Sequence, residues 1–405
     1  MRYDLSHEKW KLKALDPYVP LQGNSMETGQ ELRGITPWVD CTVPGGAALA
    51  MYRAGYIDYP YFEMNSLKCE WIENKWWMYQ TTFARPAISG KRYRLLFHGV
   101  DYDAMIYLNG VLLGEHKGMY ESFSYDITRI FEENETLTLK VLIRHAPDEM
   151  GQIGKTSETF TQKSRFNYKW DFSTRLVNLG IWRKVEIVAD ENYGIQDISV
   201  TSDVEEDGTG LVDLRGETFA LSESPDGLHV KAEAFWERSL VSSALFPVND
   251  GRWEGRLLIT DPKLWYPNGA GEQPLYTIRL TLEDRTGAVY DVREYRQGIR
   301  RLRYVQNENA PDGALPYTFE INGRKIYAKG VNLVPLDHIY GDIPRERYET
   351  TLRAAAAMNV NLVRVWGGGI IETEDFYELC DQYGLMVWQE FIQSSSGIDN
   401  IPSKK

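Results

Sequence analysis

Polar and aromatic side chains collect at the carboxyl ends of two neighbouring predicted strands in residues 361–391. Arg364 and Trp366 end the first strand, and Trp388 and Glu390 end the second. In α/β units, function concentrates where parallel strands end and the following loops begin. Aromatic rings pack on the apolar faces of sugars, and charged groups bind sugar hydroxyls. These residues therefore indicate a sugar-binding rim, unless both tryptophans are core residues and Glu390 is a surface carboxylate.

A strand-helix-strand pattern positions these side chains. The apolar run Leu362–Trp366 breaks at three glycines, and Thr373 then suits an N-cap before an acidic first turn. Gly384 suits the C′ position, and Leu385–Trp388 predicts a second apolar strand. Such a unit is right-handed, and we expect both strands to be buried. The helix between them is indicated by apolar residues at helical spacing: Phe376, Leu379, Cys380 and Tyr383.

A similar strand is predicted upstream, from Ile326 to Val331, ending in Asn332. A helix from about Pro344 to Met358 follows it, with proline suited to the first helical turn. The pattern is therefore strand, helix, strand, helix, strand, which is part of a larger parallel sheet. Asn332 adds an amide to the same rim. His338 follows this first strand and either faces the rim or lies in a loop.

Before residue 300 the sequence consists almost entirely of β-strand patterns. Apolar residues alternate with polar ones from Leu137 to Ile143, and Asn109-Gly110 is a strong hairpin signal. This pattern predicts a β-sandwich. From about Asp190 a second all-β region begins, whose strand spacing and length suit an immunoglobulin-like sandwich. The acidic run from Asp203 to Gly210 is predicted to be a loop within that second region.

Composition excludes several classes of protein. The chain has 405 residues, of which 43% are hydrophobic and 13% aromatic, so it is not disordered. A net charge of -13 argues against nucleic acid or an anionic membrane surface as a partner, because both require basic patches. No stretch approaches the roughly 18 apolar residues of a membrane span, and the amino terminus lacks the apolar core of a signal peptide.

The cysteines carry no metal-binding pattern. Cys41, Cys69 and Cys380 are odd in number and widely spaced, which favours buried thiols in a reduced, cytoplasmic protein. The glycine run at residues 367–369 lacks the Lys-Ser/Thr of a phosphate-binding loop. We therefore expect neither a metal nor a cofactor.

A series of motifs runs in order along almost the whole chain. Together they resemble glycoside hydrolase family 2, and within it the β-mannosidase-like branch. The motifs are CTVPGGAALAMYRAGYIDYP, WWMYQTTF, FHGVDYDAMIYLNGVLLGEHKGMYESFSYDIT, KWDFSTRLVNLGIWRKVEI, LWYPNGAGEQPLY, YRQGIRRL, KGVNLVP and RVWGGGIIETEDFYELCDQYGLMVWQEF.

The resemblance implies a multidomain fold of β and α/β parts. Its expected domains are a jelly-roll β-sandwich of sugar-binding type over residues 1–190, an immunoglobulin-like β-sandwich over 191–300, and the start of a (β/α)8 TIM barrel over 301–405.

The resemblance also implies hydrolysis of β-mannosides by a retaining double displacement, which uses two glutamates about 5 Å apart. In the family these glutamates, an acid/base and a nucleophile, lie near barrel strands four and seven. The last residue of the sequence, Lys405, is expected to precede strand four. Both catalytic glutamates are therefore expected beyond Lys405, and no catalytic residue is predicted within residues 1–405.

The resemblance assigns roles to individual residues. Trp366 matches a tryptophan that lines the subsite of the terminal sugar, and Arg364 matches an arginine that supports the nucleophile. Asp171 matches an aspartate that reaches from the jelly roll to contact sugar hydroxyls, although on residues alone it reads as a turn carboxylate. Two positions depart from the family, because Glu390 stands where Asp is usual and Phe172 replaces a tryptophan. Both departures bear on the sugar recognised.

Two other functions remain open on the sequence. One is a noncatalytic carbohydrate-binding or structural protein. The other is a β-galactosidase-like or β-glucuronidase-like hydrolase of the same family, although galactosidase-like members resemble Asn-Arg-His where this chain has Asn332-Leu333-Val334. The expected partner in every catalytic case is a β-linked oligosaccharide or glycoside. The sequence does not predict the aglycone, exo or endo action, or the oligomeric state.

Overall fold

The computed structural model describes residues 1–28, 33–147, 163–223 and 225–392. The described chain forms two antiparallel β-sandwiches followed by a smaller α/β part. Residues 393–405 of the predicted third domain, which include Lys405, lie outside the described ranges. None of the described helices is both long and apolar enough to cross a membrane.

The first sandwich is built from twelve strands and three short helices. The helices are α1 (Ser25–Thr28), α2 (Ala47–Arg53) and α3 (Thr128–Glu133). The strands are β1 (Arg2–Asp4), β2 (Trp10–Leu15), β3 (Val39–Cys41), β4 (Trp76–Ala84), β5 (Arg92–Phe97), β6 (Val100–Asp101), β7 (Asp103–Leu108), β8 (Val111–Lys117), β9 (Phe123–Asp126), β10 (Thr136–Ile143), β11 (Gly180–Ile181) and β12 (Val185–Asp190).

Two sheets of the first sandwich enclose one large core. Their strand orders are β1-β12-β5-β9 and β3-β2-β4-β10-β7-β8, and β6 pairs with β11 beside them. On β10 the alternating residues Leu137, Leu139 and Val141 are all buried in that core, because successive side chains of a strand point to opposite faces. The Asn109-Gly110 turn joins β7 to β8 with both residues at positive φ, as a tight hairpin requires. The predicted first β-sandwich is therefore confirmed.

The second sandwich has seven strands in two sheets, ordered β13-β14-β17 and β16-β15-β18-β19. Alternating apolar residues of β15 and β18 are buried between the sheets, as the pattern predicts. Residues 205–209 form the loop between the first two strands, which confirms the loop prediction for the acidic run. The strands are β13 (Tyr193–Val204), β14 (Gly210–Ala220), β15 (His229–Trp236), β16 (Ser239–Pro247), β17 (Arg252–Ile259), β18 (Tyr276–Glu283) and β19 (Val289–Gln297).

The α/β part contains an antiparallel sheet and a parallel sheet. In the parallel sheet the order is β23-β24-β25, and both helices follow a strand as predicted. Gly384, at φ 72°, ends the second helix. The elements are β20 (Leu302–Val305), β21 (Thr318–Ile321), β22 (Arg324–Ile326), β23 (Gly330–Leu333), α4 (Arg345–Ala357), β24 (Leu362–Val365), α5 (Glu374–Tyr383) and β25 (Met386–Gln389).

The predicted strand from Ile326 to Val331 is wrong in its bounds. Asn322-Gly323 forms a positive-φ turn, so Ile326 belongs to the hairpin β21-β22 and not to the parallel sheet. The side chain of Asn361 then bonds the main chain of Tyr327 and Lys329, at 3.0 and 2.8 Å, in place of a continuous ladder. The parallel strand begins only at Gly330. Asn332 therefore lies within β23 and not after it.

The prediction that both strands of the β-α-β unit are buried holds for one face only. Val363 and Val365 are buried against α4 and α5. The other face carries Arg364 and Trp388, and Trp388 is 55% exposed. The helices cover one side of this three-stranded sheet, and the candidate rim lies on the other. The complete (β/α)8 barrel stays a prediction.

Candidate functional site

Strand register brings three of the predicted site residues into one row. Asn332 pairs with Arg364 across β23 and β24, and Arg364 pairs with Trp388 across β24 and β25. In a parallel sheet, residues in register point to the same face. Arg364 Nη1 donates to Asn332 Oδ1 at 3.1 Å, and its guanidinium carbon lies 5.8 Å from the centre of the Trp388 ring. The row therefore forms a connected cation, amide and aromatic surface.

Glu390 is held in place from two directions. Its Oε1 accepts from Arg364 Nε at 2.8 Å and from Arg364 Nη2 at 2.5 Å, while its Oε2 accepts from the Gly367 amide at 2.7 Å. A Cβ added at Gly367 would lie 2.7 Å from the Phe391 carbonyl oxygen, so this close approach requires glycine. A carboxylate oxygen can accept more than one bond. Oε2 therefore keeps capacity for a ligand hydroxyl.

Trp366 forms the aromatic wall of the rim, at the end of β24. Its ring packs edge-on against Trp170 at 4.9 Å and Phe172 at 5.8 Å between ring centres. Both partners belong to a hairpin turn of the first sandwich, in which Trp170 and Ser173 exchange main-chain hydrogen bonds of 3.0 and 3.4 Å. The site is therefore shared between the first sandwich and the parallel sheet.

Asp171 lies at the tip of the same turn, between the two aromatic residues that contact Trp366. Its side chain is exposed, and no residue in the described ranges hydrogen-bonds to its carboxylate. A solvated carboxylate next to an aromatic wall can accept hydroxyl hydrogen bonds without breaking an existing contact. The structure thus places five predicted residues on or just after β23, β24 and β25, and it puts Asp171 in the turn that packs on Trp366.

His338 fixes this turn to the loop after β23. Its Nε2 hydrogen-bonds Ser173 Oγ at 2.8 Å, and Asn167 Nδ2 donates to the His338 carbonyl at 3.2 Å. Burial lowers the pKa of His338, which favours the neutral imidazole. The histidine therefore acts as a support for the turn that presents Asp171.

The glycine loop after β24 is also held by the first sandwich. The amides of Arg165 and Phe166 donate to the Gly368 carbonyl at 3.2 and 3.0 Å, and Arg183 Nη2 donates to the Ile371 carbonyl at 2.9 Å. These bonds satisfy loop carbonyls that would otherwise be buried without partners. They fix the loop that supplies the Gly367 amide to Glu390.

A fully buried ion pair lies where the first sandwich meets the α/β part. Lys163 donates to Asp101 and, at 2.7 Å, to the Asn178 carbonyl, and the Tyr340 hydroxyl donates to the other Asp101 oxygen. Both charged side chains have 0% exposure. Burial raises the pKa of Asp101 and lowers the pKa of Lys163, because a low-dielectric site disfavours both charges, and the Lys163 contact opposes this for Asp101.

Glu372 is a second buried carboxyl near the site. Tyr348 donates its hydroxyl to Glu372 Oε2 at 2.6 Å. Burial raises the pKa of Glu372 from its ordinary 4.5 to about 7, although Tyr348 and Arg183 both act to lower it. The folded protein therefore holds this proton more tightly than the unfolded chain does.

We expect the Glu372→Gln variant to lose part of the pH dependence of stability. With a folded pKa of about 7 and an unfolded pKa of 4.5, the contribution of Glu372 is complete below pH 4.5 and is lost as pH rises through 7. The free energy of unfolding of the parent chain should fall by about 2 kcal/mol from this group between pH 5 and pH 7. Urea unfolding of both chains across this range measures the difference. Parallel pH profiles would contradict the assignment.

The two catalytic glutamates expected beyond Lys405 are not tested by the structure. Lys405 and the twelve residues before it lie outside the described ranges, so the position of the sequence end relative to barrel strand four stays a prediction. Glu390 and Glu372 lie within the described ranges, and neither is a free carboxyl. Glu390 is bonded to Arg364 and Glu372 to Tyr348, which is consistent with supporting roles for both.

Sequence reasoning missed several residues that support the site. Lys163 and Asp101 pair across 62 positions, and no local pattern indicates such a contact. Glu372 lies at the end of an apolar run, a context that could have suggested a buried carboxyl. Trp170 precedes Asp171 in the motif KWDFSTRLVNLGIWRKVEI, but nothing in that motif indicates its contact with Trp366. Among the described residues, no cluster of three or more His, Cys, Asp and Glu side chains could hold a metal.

Two family models match the chain. The model described as glycosyl hydrolase 2 galactose-binding domain-like matches residues 21–183. The model described as glycosyl hydrolases family 2 matches residues 194–300. The matches fall on the first and the second sandwich respectively. They support the predicted jelly-roll and immunoglobulin-like parts of the fold.

Curated relatives are similar over most of this chain. The β-mannosidase B of Emericella nidulans is 29% identical over 390 residues, which cover 89% of this chain and 44% of that protein. The β-mannosidase of Rattus norvegicus is 29% identical over 385 residues, which cover 88% of this chain and 43% of that protein. The chain thus spans less than half the length of these relatives.

Solved structures share the architecture. The crystal structure of a β-D-mannosidase from Dictyoglomus thermophilum matches with a TM-score of 0.82 and 28% identity, covering 97% of this chain and 47% of that one. A β-glucuronidase from Parabacteroides merdae matches with a TM-score of 0.69 and 18% identity, covering 96% of this chain and 45% of that one. The second match shows a shared fold only.

Proposed function

Because the chain belongs to glycoside hydrolase family 2, we propose that it forms the sugar-gripping part of a β-mannosidase active site. The observation that carries this proposal is the arrangement of Trp366 against the turn that carries Asp171, beside a Glu390 held by Arg364 and the Gly367 amide. An aromatic wall with carboxylates that can accept hydroxyl hydrogen bonds suits a neutral, hydroxyl-rich ring. The similarity of the chain to three β-mannosidases supports the choice of β-mannosides.

Each residue has a distinct role in this proposal. Trp366 packs against the apolar face of the terminal sugar, and Asp171 accepts hydrogen bonds from its hydroxyls. Glu390 accepts a hydroxyl bond at Oε2 and neutralises Arg364 through Oε1. Arg364 and Asn332 orient the rim, and Trp388 extends its aromatic surface.

The reaction is a retaining double displacement, in which one carboxylate attacks the anomeric carbon and a second carboxyl protonates the leaving group and then activates water. These two groups must lie about 5 Å apart on either side of the anomeric centre. Glu390 is already committed to Arg364 and the Gly367 amide, which argues for a binding role. The proposal assigns the two catalytic glutamates to sequence beyond Lys405, in keeping with relatives more than twice as long.

The proposal includes a division of the chain into domains 1–190, 191–300 and 301–405. In this division β23, β24 and β25 are the first strands of a (β/α)8 barrel. The arginine of the rim is neutralised by Glu390, which favours a neutral sugar over a glucuronide. The free thiols of Cys41, Cys69 and Cys380 support a reducing, cytoplasmic location.

A substrate panel tests the proposed function. The full-length protein that carries this chain should hydrolyse p-nitrophenyl β-mannoside in preference to the corresponding β-galactoside and β-glucuronide. We expect the 405-residue chain alone to release no p-nitrophenol, because the proposal assigns the double-displacement pair to sequence beyond Lys405. A preference for either of the other two glycosides would favour a β-galactosidase-like or β-glucuronidase-like hydrolase of the same family. Inactivity of the full-length protein on all three would favour a noncatalytic carbohydrate-binding role.

A further inference from the structure

Three tyrosines form a strip on the surface of the first sandwich. Tyr52, Tyr59 and Tyr61 are 40%, 50% and 38% exposed. The ring centres of Tyr52 and Tyr59 are 5.5 Å apart, and those of Tyr59 and Tyr61 are 5.4 Å apart. We call these three residues the tyrosine strip. A large exposed aromatic surface on a folded protein commonly marks a binding site.

The strip leads directly to the candidate site. The Tyr61 hydroxyl donates to Asp337, and its ring centre lies 5.7 Å from that of His338. Both partners belong to the loop after β23, at the carboxyl end of that strand. His338 in turn bonds Ser173, two positions after Asp171. The tyrosine strip is therefore linked to the turn that carries Asp171 through the loop after β23.

Internal hydrogen bonds fix the segment that carries the strip. The Asn65 side chain donates to the Tyr59 carbonyl at 3.1 Å, and the Phe62 amide donates to the same oxygen at 3.2 Å. Hydrogen bonds from Tyr61 and Arg347, together with the Ile339 amide, lower the pKa of Asp337 although its burial alone would raise it. Asp337 thus stays ionised and keeps Tyr61 in position. A fixed row of rings loses little conformational entropy when a ligand packs on it.

We propose that the tyrosine strip binds the sugar units that follow the terminal residue of a β-linked oligosaccharide, on the leaving-group side. This inference rests on the proposed function. The ring planes of neighbouring tyrosines meet at 54° and 81°, so a ligand contacts the exposed faces and edges of the rings and not a flat stack. Tyrosine supplies an apolar face and a hydroxyl to such a ligand. The link from Tyr61 through His338 to the turn that carries Asp171 favours the same oligosaccharide over a protein partner.

Dependence of binding on chain length tests this inference. Isothermal titration of the 405-residue chain with β-1,4-mannobiose, mannotetraose and mannohexaose should give higher affinity for the longer ligands. The double variant Tyr52→Ala/Tyr59→Ala should lose about tenfold in affinity for mannohexaose and almost nothing for mannobiose, because two stacking rings are removed. The variant Tyr52→Phe/Tyr59→Phe keeps both rings and should retain most of the affinity.

Tyr304→Ala is the matched control. Tyr304 is 59% exposed and packs on Phe319 at 5.3 Å, but it lies in the antiparallel sheet that precedes the amino end of β23. Its removal should leave all three affinities unchanged. Two results would overturn the role of the strip and leave the proposed function standing. One is equal affinity for mannobiose and the longer ligands, and the other is a higher affinity for longer ligands that persists in Tyr52→Ala/Tyr59→Ala. Failure to bind any of the three sugars would overturn the proposed function and the strip together.

Discussion

Replacing Asp101 with alanine should lower the free energy of unfolding of the first sandwich by about 3–5 kcal/mol, since it removes one partner of a buried ion pair. Lys163 and Asp101 are both fully buried, and the variant leaves the Lys163 ammonium and the Tyr340 hydroxyl without this acceptor. The Asn178 carbonyl at 2.7 Å remains as a partner of Lys163, but it carries no full charge. Urea unfolding of the two chains, followed by far-ultraviolet circular dichroism, measures the loss.

Glu133→Ala is the control for this experiment. Glu133 pairs with Arg129 at 2.9 Å on the surface of α3, where the two side chains are 58% and 85% exposed. Exposed pairs of this kind contribute less than about 1 kcal/mol. If Asp101→Ala lowers the free energy of unfolding no more than Glu133→Ala does, the buried Lys163–Asp101 pair does not stabilise the contact between the first sandwich and the α/β part.

The row of Asn332, Arg364 and Trp388 shows how much of the site local patterns predict. Apolar runs, helix caps and glycines together predict where strands and helices begin and end. Because the strands of a parallel sheet run in one direction, their carboxyl ends then lie at one edge of the sheet. The error at Ile326 arose from an unrecognised turn, because Asn322-Gly323 is itself a hairpin signal. The bounds of strands and helices are thus predictable from the sequence when every turn signal, such as Asn322-Gly323, is recognised.

Contacts between distant parts of the chain are a different matter. Trp170 meets Trp366 across 196 positions of sequence, and nothing in the local pattern of either residue indicates the other. The same holds for Arg183, which bonds the loop at Ile371. These contacts depend on how the first sandwich packs on the parallel sheet. Resemblance to a family could place Asp171 near the site, but residue patterns alone could not.

Replacing Glu390 with alanine should lower kcat/KM for an aryl β-mannoside about a hundredfold in the full-length protein, or about 2.7 kcal/mol. The variant loses a hydroxyl acceptor, leaves the Arg364 guanidinium without its carboxylate, and frees the Gly367 amide. Charge-assisted hydrogen bonds contribute about 1.5–3 kcal/mol each, so the loss of one substrate contact plus misplacement of the loop accounts for this size. Steady-state kinetics of the purified variant provides the measurement.

Two further variants provide comparisons for the kinetics of Glu390→Ala. Glu378→Ala removes a surface carboxylate that pairs with Arg345 at 3.0 Å, and it should leave kcat/KM unchanged. Asp171→Ala should lower kcat/KM at least about tenfold with an unchanged melting temperature, because its exposed carboxylate makes no bond with the described residues. Wild-type kinetics for both Glu390→Ala and Asp171→Ala, in folded protein, would remove these residues from the site.

A crystal structure of the full-length protein with a bound, slowly hydrolysed β-mannoside would show which residues hold the terminal sugar. We expect that sugar to lie within about 4.5 Å of the Trp366 ring, which is contact distance for apolar atoms. We also expect hydroxyl hydrogen bonds to Asp171 and Glu390. A sugar bound elsewhere, with Trp366 still packed only against Trp170 and Phe172, would contradict the proposed function.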